Sequence, residues 1–207
     1  MGTTATKEKI LTAAMALVAE KGYLGTPTRA IAREAGVTEL TLFRHFGSKE
    51  RLFEALLARS MFLPALRELL PRVESLTYEE ALRTIAERFL LSLKEHKPLV
   101  KIMHSEINLY PGKVKKIYGQ LIDETRETLA RYFATHQRTG TLRSFPPDMA
   151  ARAFLGMLFS YFRAEELMRR NDITRNRKME RDVKCFVDLF VHGTLGTKDG
   201  TEKRRQP

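Results

Sequence analysis

With 207 residues, 43% of them hydrophobic and 29% charged, the chain has the balance of a folded globular protein and not of a disordered one. Its apolar runs are broken by charge well short of the roughly 18 residues a membrane span needs, Met1 to Lys9 lacks the apolar core of a signal peptide, and the single Cys185 excludes an internal disulfide or a multi-cysteine zinc site, so a cytoplasmic protein with no membrane partner is expected. The net charge of +11 suits a polyanionic partner, but residues 1–60 carry only +3 of it, while Lys94–Lys116 and Arg169–Lys184 each carry +4; a case for nucleic acid has to rest on a motif and not on charge.

Glycine and proline cut the chain into helical lengths, and strand-like alternation is nowhere sustained. The first helix is predicted from about Thr4 to Lys21, with Ile10, Ala14, Leu17 and Val18 on one face, closed by Gly22 in a left-handed conformation. Thr26-Pro27 opens the second, Thr26 as its N-cap, and the helix carries Ile31, Ala32 and Ala35 before stopping at Gly36. Thr38 caps a short third helix whose Val37 and Leu42 have the spacing of a hydrophobic staple, with Leu42 and Phe46 facing inward. Ser48 caps a fourth, with Leu52, Phe53, Leu56 and Leu57 as its buried stripe, which continues, longer or bent, past Pro64 towards Leu70. Further helices are expected at Tyr78–Glu95, Lys97–Leu109, Lys113–His136, Pro147–Arg169 and Thr174–Thr194. The fold class is therefore all-α: a three-helix head over residues 1–47, a larger helical body over 48–195 and a flexible tail from 196 to 207.

Two short helices joined by a tight glycine turn, the second capped and stapled, meet the requirements of a helix-turn-helix: one helix braces, the other enters the major groove. Burying Leu42 and Phe46 leaves Glu39, Leu40, Thr41, Phe43 and Arg44 at the free end or outer face. An exposed Leu and Phe serve a soluble head poorly but suit thymine methyls and sugar edges. A head of this kind with a protein-binding surface is the other reading.

The stretch Ile10–Leu57 resembles the DNA-binding domain of the tetracycline-repressor family of transcription regulators, most closely at Ala13-Ala14, Lys21-Gly22-Tyr23, Ile31-Ala32, Ala35-Gly36-Val37, Leu42-Phe43-Arg44-His45-Phe46 and Ser48-Lys49-Glu50. The resemblance implies that Glu39, Leu40 and Thr41, joined by Arg29, read bases, and that Thr26, Phe43, His45 and Lys49 hold phosphates, with Arg44 beside them. Phe43 stands where the family usually has Tyr, which removes a hydroxyl contact to phosphate. The carboxylate of Glu39 either accepts from cytosine N4 or favours the helix N-terminus; the second reading is preferred, because an acid facing a polyanion is more often tolerated than used.

In the body, AFLGMLFSYF at Ala153–Phe162 is apolar almost all round and has to be covered on two sides. With the last helix it is expected to form a homodimer seam through Phe154, Met157, Leu158, Tyr161, Val183, Phe186, Val187 and Phe190; an internal core is the alternative. The family resemblance implies the same four-helix seam, and an effector cavity among the middle helices, for which Phe62, Leu66, Phe89, Met103, Glu106, Tyr110, Tyr118, Leu121, Phe159 and Phe162 are candidates. Lys94, Lys97, Lys101, Lys113, Lys115 and Lys116 are either a solvated surface or a seat for the anionic head of an amphipathic effector.

No glycine-rich phosphate loop, nucleophile elbow or paired-histidine metal helix is present, so neither an enzyme, a cofactor nor a metal is expected. The expected partners are double-stranded operator DNA, a second copy of the chain and an unidentified small-molecule effector. The expected function is ligand-responsive regulation of transcription, as a repressor on a palindromic operator. The alternative is an architectural or partner-dependent DNA-binding protein with the same head and no effector.

Overall fold

The computed structural model describes residues 3–196, and the expected tail from 197 to 207 lies outside the described residues. Ten α-helices account for nearly all of the described chain: α1 (Thr3–Lys21), α2 (Thr28–Glu34), α3 (Glu39–Phe46), α4 (Lys49–Ser60), α5 (Phe62–Val73), α6 (Tyr78–Glu95), α7 (Lys97–Glu106), α8 (Gly112–Arg138), α9 (Pro147–Phe162) and α10 (Lys178–Thr194). No strand occurs among the described residues; an isolated bridge joins Leu142 to Leu195.

The chain packs as two compact units. One comprises the chain up to Met61 together with Ser92–Ile122, the other Phe62–Leu91 together with the chain from Asp123. The first unit is wider than the head expected to end at Gly47. A single hydrophobic cluster joins Ile10, Leu11, Ala14 and Val18 of α1, Ile31 of α2, Leu42 and Phe46 of α3 and the α4 stripe to Leu99, Ile102 and Met103 of α7, and to Tyr110 and Val114. Cutting at Gly47 would expose the apolar faces of α1 and α4, whose burial stabilises the unit at about 25 cal/mol per Å².

Local chemistry sets the boundaries in this unit. Gly36, at φ +66°, follows α2 in a Schellman turn: its N–H donates to Arg33 O and that of Val37 to Ala32 O at 3.0 Å. Thr38 Oγ1 accepts from Thr41 N at 3.1 Å, and Ser48 Oγ from Arg51 N at 3.2 Å, capping α3 and α4. Gly47, at φ +76°, separates them. One expected cap is corrected. Thr26 does not cap α2; Pro27 holds that position, and the buried Thr26 hydroxyl donates instead to Gly22 O (2.8 Å) and Leu17 O (3.2 Å).

The expected run from the fourth helix past Pro64 is also corrected. The helix breaks at Met61 (φ −76°, ψ 159°), so that Pro64 becomes the third residue of α5, where no intrahelical N–H is needed. In the second unit Thr77 and Glu80 form a reciprocal capping box at the start of α6. The helix expected through Arg169 is α-helical only to Phe162 and π-helical over Arg163–Met168. There Glu165 and Glu166 are buried: Glu165 accepts from Arg169 (2.7 Å) and Asn171 (3.0 Å), and Glu166 Oε1 from Ile173 N (3.0 Å). The last helix begins at Lys178, four residues later than expected, behind a 3-10 turn whose Arg177 adopts φ +56°.

Candidate nucleic-acid interface

The head's outer surface follows from α3. Leu42 is fully buried and Phe46 nearly so, which turns Leu40 out to 80% exposure and Phe43 to 39%. Arg44 is exposed beside them, and Thr41 and His45 are half-buried. Two large apolar side chains thus stand in water on an eight-residue helix, an exposure of the kind that marks interaction surfaces.

Lys49 opens α4, but its ammonium lies 4.4 Å over the ring of Tyr23, and burial lowers its pKa, with Glu50 opposing. Tyr23 is itself packed against Phe53 (4.8 Å) and Tyr110 (5.3 Å). Burial, with the charge of and a hydrogen bond to Glu50, pushes its phenol up to about 12. Glu50 is held below the usual carboxylate range, first by a hydrogen bond from its own backbone N–H and then by Ser48. Lys49 is therefore a cation of fixed position at a helix N-terminus.

The expected DNA-facing residues divide. Leu40, Phe43, Arg44 and Arg29 are exposed; Thr41, His45, Lys49 and Glu39 are partly so. Thr26 is buried, with its hydroxyl donated to two carbonyls. Two residues passed over in the sequence stand on this face. Arg33 is exposed one turn beyond Arg29, the i,i+4 spacing that puts both on one side of α2, and that spacing was the available signal. Thr28 donates its hydroxyl to Glu39 Oε1 at 2.5 Å, joining the first residues of α2 and α3.

The family models match on either side of the α4–α5 junction. The model described as bacterial regulatory proteins, tetR family, covers residues 10–56, and that of the C-terminal domain of AefR-like transcriptional repressors covers residues 80–193. The HTH-type transcriptional regulator YvkB of Bacillus subtilis, itself uncharacterized, is 31% identical over 188 residues, 91% of this chain and 96% of the relative.

The chain belongs to the TetR family.

Two solved structures share the fold of this TetR-family protein. A TetR-family transcriptional regulator of Mesorhizobium loti superposes with a TM-score of 0.79 at 22% identity, over 95% of this chain and all of that one. The regulator FadR of Bacillus subtilis, solved with stearoyl-CoA, gives 0.73 at 18% identity over 90% of this chain and 98% of its own. As a member of the family the protein is a DNA-binding transcription regulator with a helix-turn-helix head.

The body residues named from the sequence of this TetR regulator divide between buried and open positions. Phe154, Leu158, Val183 and Val187 are buried inside the second unit of one chain, and Phe190 packs on Phe154 (5.0 Å) and Phe133 (5.7 Å). In the single chain Phe154, Leu158, Val183 and Val187 thus keep almost no surface, whereas Phe190 and Phe186 keep part of theirs. Tyr161 donates to Asp182 Oδ2 at 2.9 Å and stacks on Phe186; Met157 is half-buried. The opposite sides of the same helices are open. On α9, Met149, Ala153, Gly156 and Ser160 are exposed at three- and four-residue steps; on α10, Cys185, Leu189 and Gly193 are exposed at four-residue steps.

Of the expected effector residues, Met103 and Tyr110 are buried and Tyr118 and Leu121 half-buried in the first unit. In the second, Phe62, Leu66, Phe89 and Phe162 are buried, Phe62 and Phe89 with ring centroids 5.0 Å apart, and Phe159 is half-buried. The side chain of Glu106 lies outside the described residues. Among the described residues no three His, Cys, Asp or Glu side chains are grouped to hold a metal ion, and no helix is long and apolar enough to cross a membrane.

Proposed function

We propose that the protein is a ligand-responsive repressor which binds a palindromic operator as a homodimer and leaves it when a small hydrophobic effector binds the body. In this reading residues 1–47 hold the DNA, residues 48–195 bind the effector and the second subunit, and the protein works in the cytoplasm. The observation that carries it is the exposure of Leu40 and Phe43 on an α3 whose other face is locked by Leu42 and Phe46. The test is operator selection with the wild type and Leu40→Ala. The variant should lose about 1–3 kcal/mol at particular base pairs, the usual size of a single mismatched position. Uniform weakening on every sequence would show Leu40 to be no base reader.

The dimer seam proposed is the open side of α9 and α10. Gly156 supports it. A Cβ built there meets nothing within 4 Å in the single chain, and a mid-helix glycine costs about 1 kcal/mol relative to alanine. A partner backbone approaching closely gives that glycine its use.

Coupling follows from the shared cluster of the first unit. Leu99, Ile102 and Met103 of α7 pack with the head helices, so an effector that shifts α7 also shifts the base of α1 and α4. Whatever coupling energy the effector takes from DNA binding, DNA takes from effector binding. A relative of this fold that holds stearoyl-CoA supports an effector with an acyl chain. The lysines expected near an anionic head are engaged in part: Lys113 pairs with Glu54 at 3.3 Å and Lys115 donates to Asn108 O at 2.9 Å. A thermal-shift series of acyl-CoAs, fatty acids and lipophilic cations, followed by operator release, tests this. Acyl compounds should raise the melting temperature and weaken DNA binding together. Stabilisation by cations alone overturns the acyl effector, and a ligand that binds without releasing operator favours the effector-free alternative.

A further inference from the structure

We infer that Glu39 is a base reader, taking a cytosine in each operator half-site, and that Thr28 is the positioning residue that aims it. The inference rests on the operator-binding reading above. Glu39 is the first residue of α3, where side chains of a recognition helix reach base edges. An unheld glutamate there has several rotamers and is repelled by phosphates. Here Thr28 Oγ1, at the first position of α2, donates to Glu39 Oε1 at 2.5 Å, which fixes the carboxylate. The hydroxyl has no capping duty, since Pro27 is the N-cap of α2 and no side chain caps that end.

The surroundings answer the objection that an acid does not belong against DNA. Glu39 lines a cleft of about 590 Å³ between α2 and α3, with Arg29, Arg33, Pro27 and Val37 among its walls. Two cations to one anion leave the cleft attractive to a polyanion while supplying one acceptor. In the major groove only cytosine, through N4, and adenine, through N6, offer donors. Adenine sets its donor beside the N7 acceptor, a pattern suited to an amide; cytosine's N4 donor suits a carboxylate. The guanine paired with it presents O6 and N7, acceptors that an arginine fork matches. The cleft thus has the donors and the acceptor that a G·C pair requires. A carboxylate serving only the helix N-terminus needs no partner on α2, and one serving only to tie α2 to α3 needs no flanking arginines on the outer face.

The test is the ratio of affinities for the selected operator and for copies in which each C·G pair is replaced in turn by T·A and by A·T, measured at fixed salt on wild type, Glu39→Gln, Thr28→Val and Thr28→Ser. The ratio on one preparation cancels any loss of folded protein. Wild type should prefer cytosine at one position of each half-site by about tenfold, the lower part of the range for a good base contact. Glu39→Gln should abolish that preference or move it towards adenine, Thr28→Val should lose much of it, and Thr28→Ser should keep it. The inference is overturned if Glu39→Gln keeps the cytosine preference, or if it tightens binding to all sequences alike, which would make the carboxylate a mere repellent. A Thr28→Val protein with the full preference would remove Thr28 from the account. If the wild type does not distinguish operator from random DNA at all, the operator reading itself fails and takes this inference with it.

Discussion

Gly156→Leu should turn the dimer into a monomer and weaken operator binding about a hundredfold or more. In the single chain the substitution is benign, since the Cβ direction is open and leucine is a better helix former than glycine by about 1 kcal/mol. The variant should therefore remain a folded monomer, losing only the stabilisation that association itself gives. On the proposed seam, though, a four-carbon side chain would stand where two backbones are to meet. Splitting the dimer removes the second head, and with it the 10²–10⁴ gain that linked binding confers. Light scattering and operator titration on the same sample check both halves, with Gly156→Ala as the milder step. A stable Gly156→Leu dimer with full affinity would place the seam elsewhere. Phe190→Arg is the poorer probe, because Phe190 is packed on Phe133 and Phe154 of its own chain and the change damages the fold first.

Phe53→Ala should destabilise the first unit by about 3–5 kcal/mol, the loss typical of a buried phenylalanine. Phe53 is 2% exposed and lies between Tyr23 and Tyr110, with ring centroids at 4.8 and 5.8 Å. Its removal takes away the side chain on which Tyr23, in the turn after α1, and Tyr110, behind the 3-10 turn that follows α7, both rest. A melting midpoint lower by about 10 °C is expected at a few degrees per kcal/mol. Because Lys49 sits on the Tyr23 ring, the phosphate contact proposed for it should be lost along with the fold of the head. Phe53→Leu, which keeps most of the volume, should retain both. An unchanged melting curve for Phe53→Ala would mean that the aromatic group does not hold the unit together.

Much of the head could be read before its coordinates because its signals are local. Gly22, Gly36 and Gly47 take positive φ where a helix has to end, and Thr38 and Ser48 accept from amides three residues ahead. Thr26 misled because its hydroxyl turns back to the Gly22 and Leu17 carbonyls at the end of α1 and not forward to the amides of α2. Thr28 was invisible because its partner on α3 is eleven residues away. In the body, periodicity marked α9 as apolar on every side but could not say which side faces the chain's own core. Packing decides that, by bringing Phe190 onto both Phe154 and Phe133. The π-helical turn at Arg163–Met168 depends on Glu165 and Glu166 capturing groups further along the chain, which no helical pattern records.

In the proposed dimer two α3 helices, related by a two-fold axis, read two half-sites about one turn of DNA apart. The most direct measurement is the affinity for the selected operator before and after five base pairs are inserted at its centre. Half a turn of added helix puts the half-sites on opposite faces of the duplex, so that one dimer reaches only one of them. Binding should fall to the level of an isolated half-site, and insertion of a full turn should not restore it if the dimer is rigid. An operator bound equally well with and without the insertion would contradict the account.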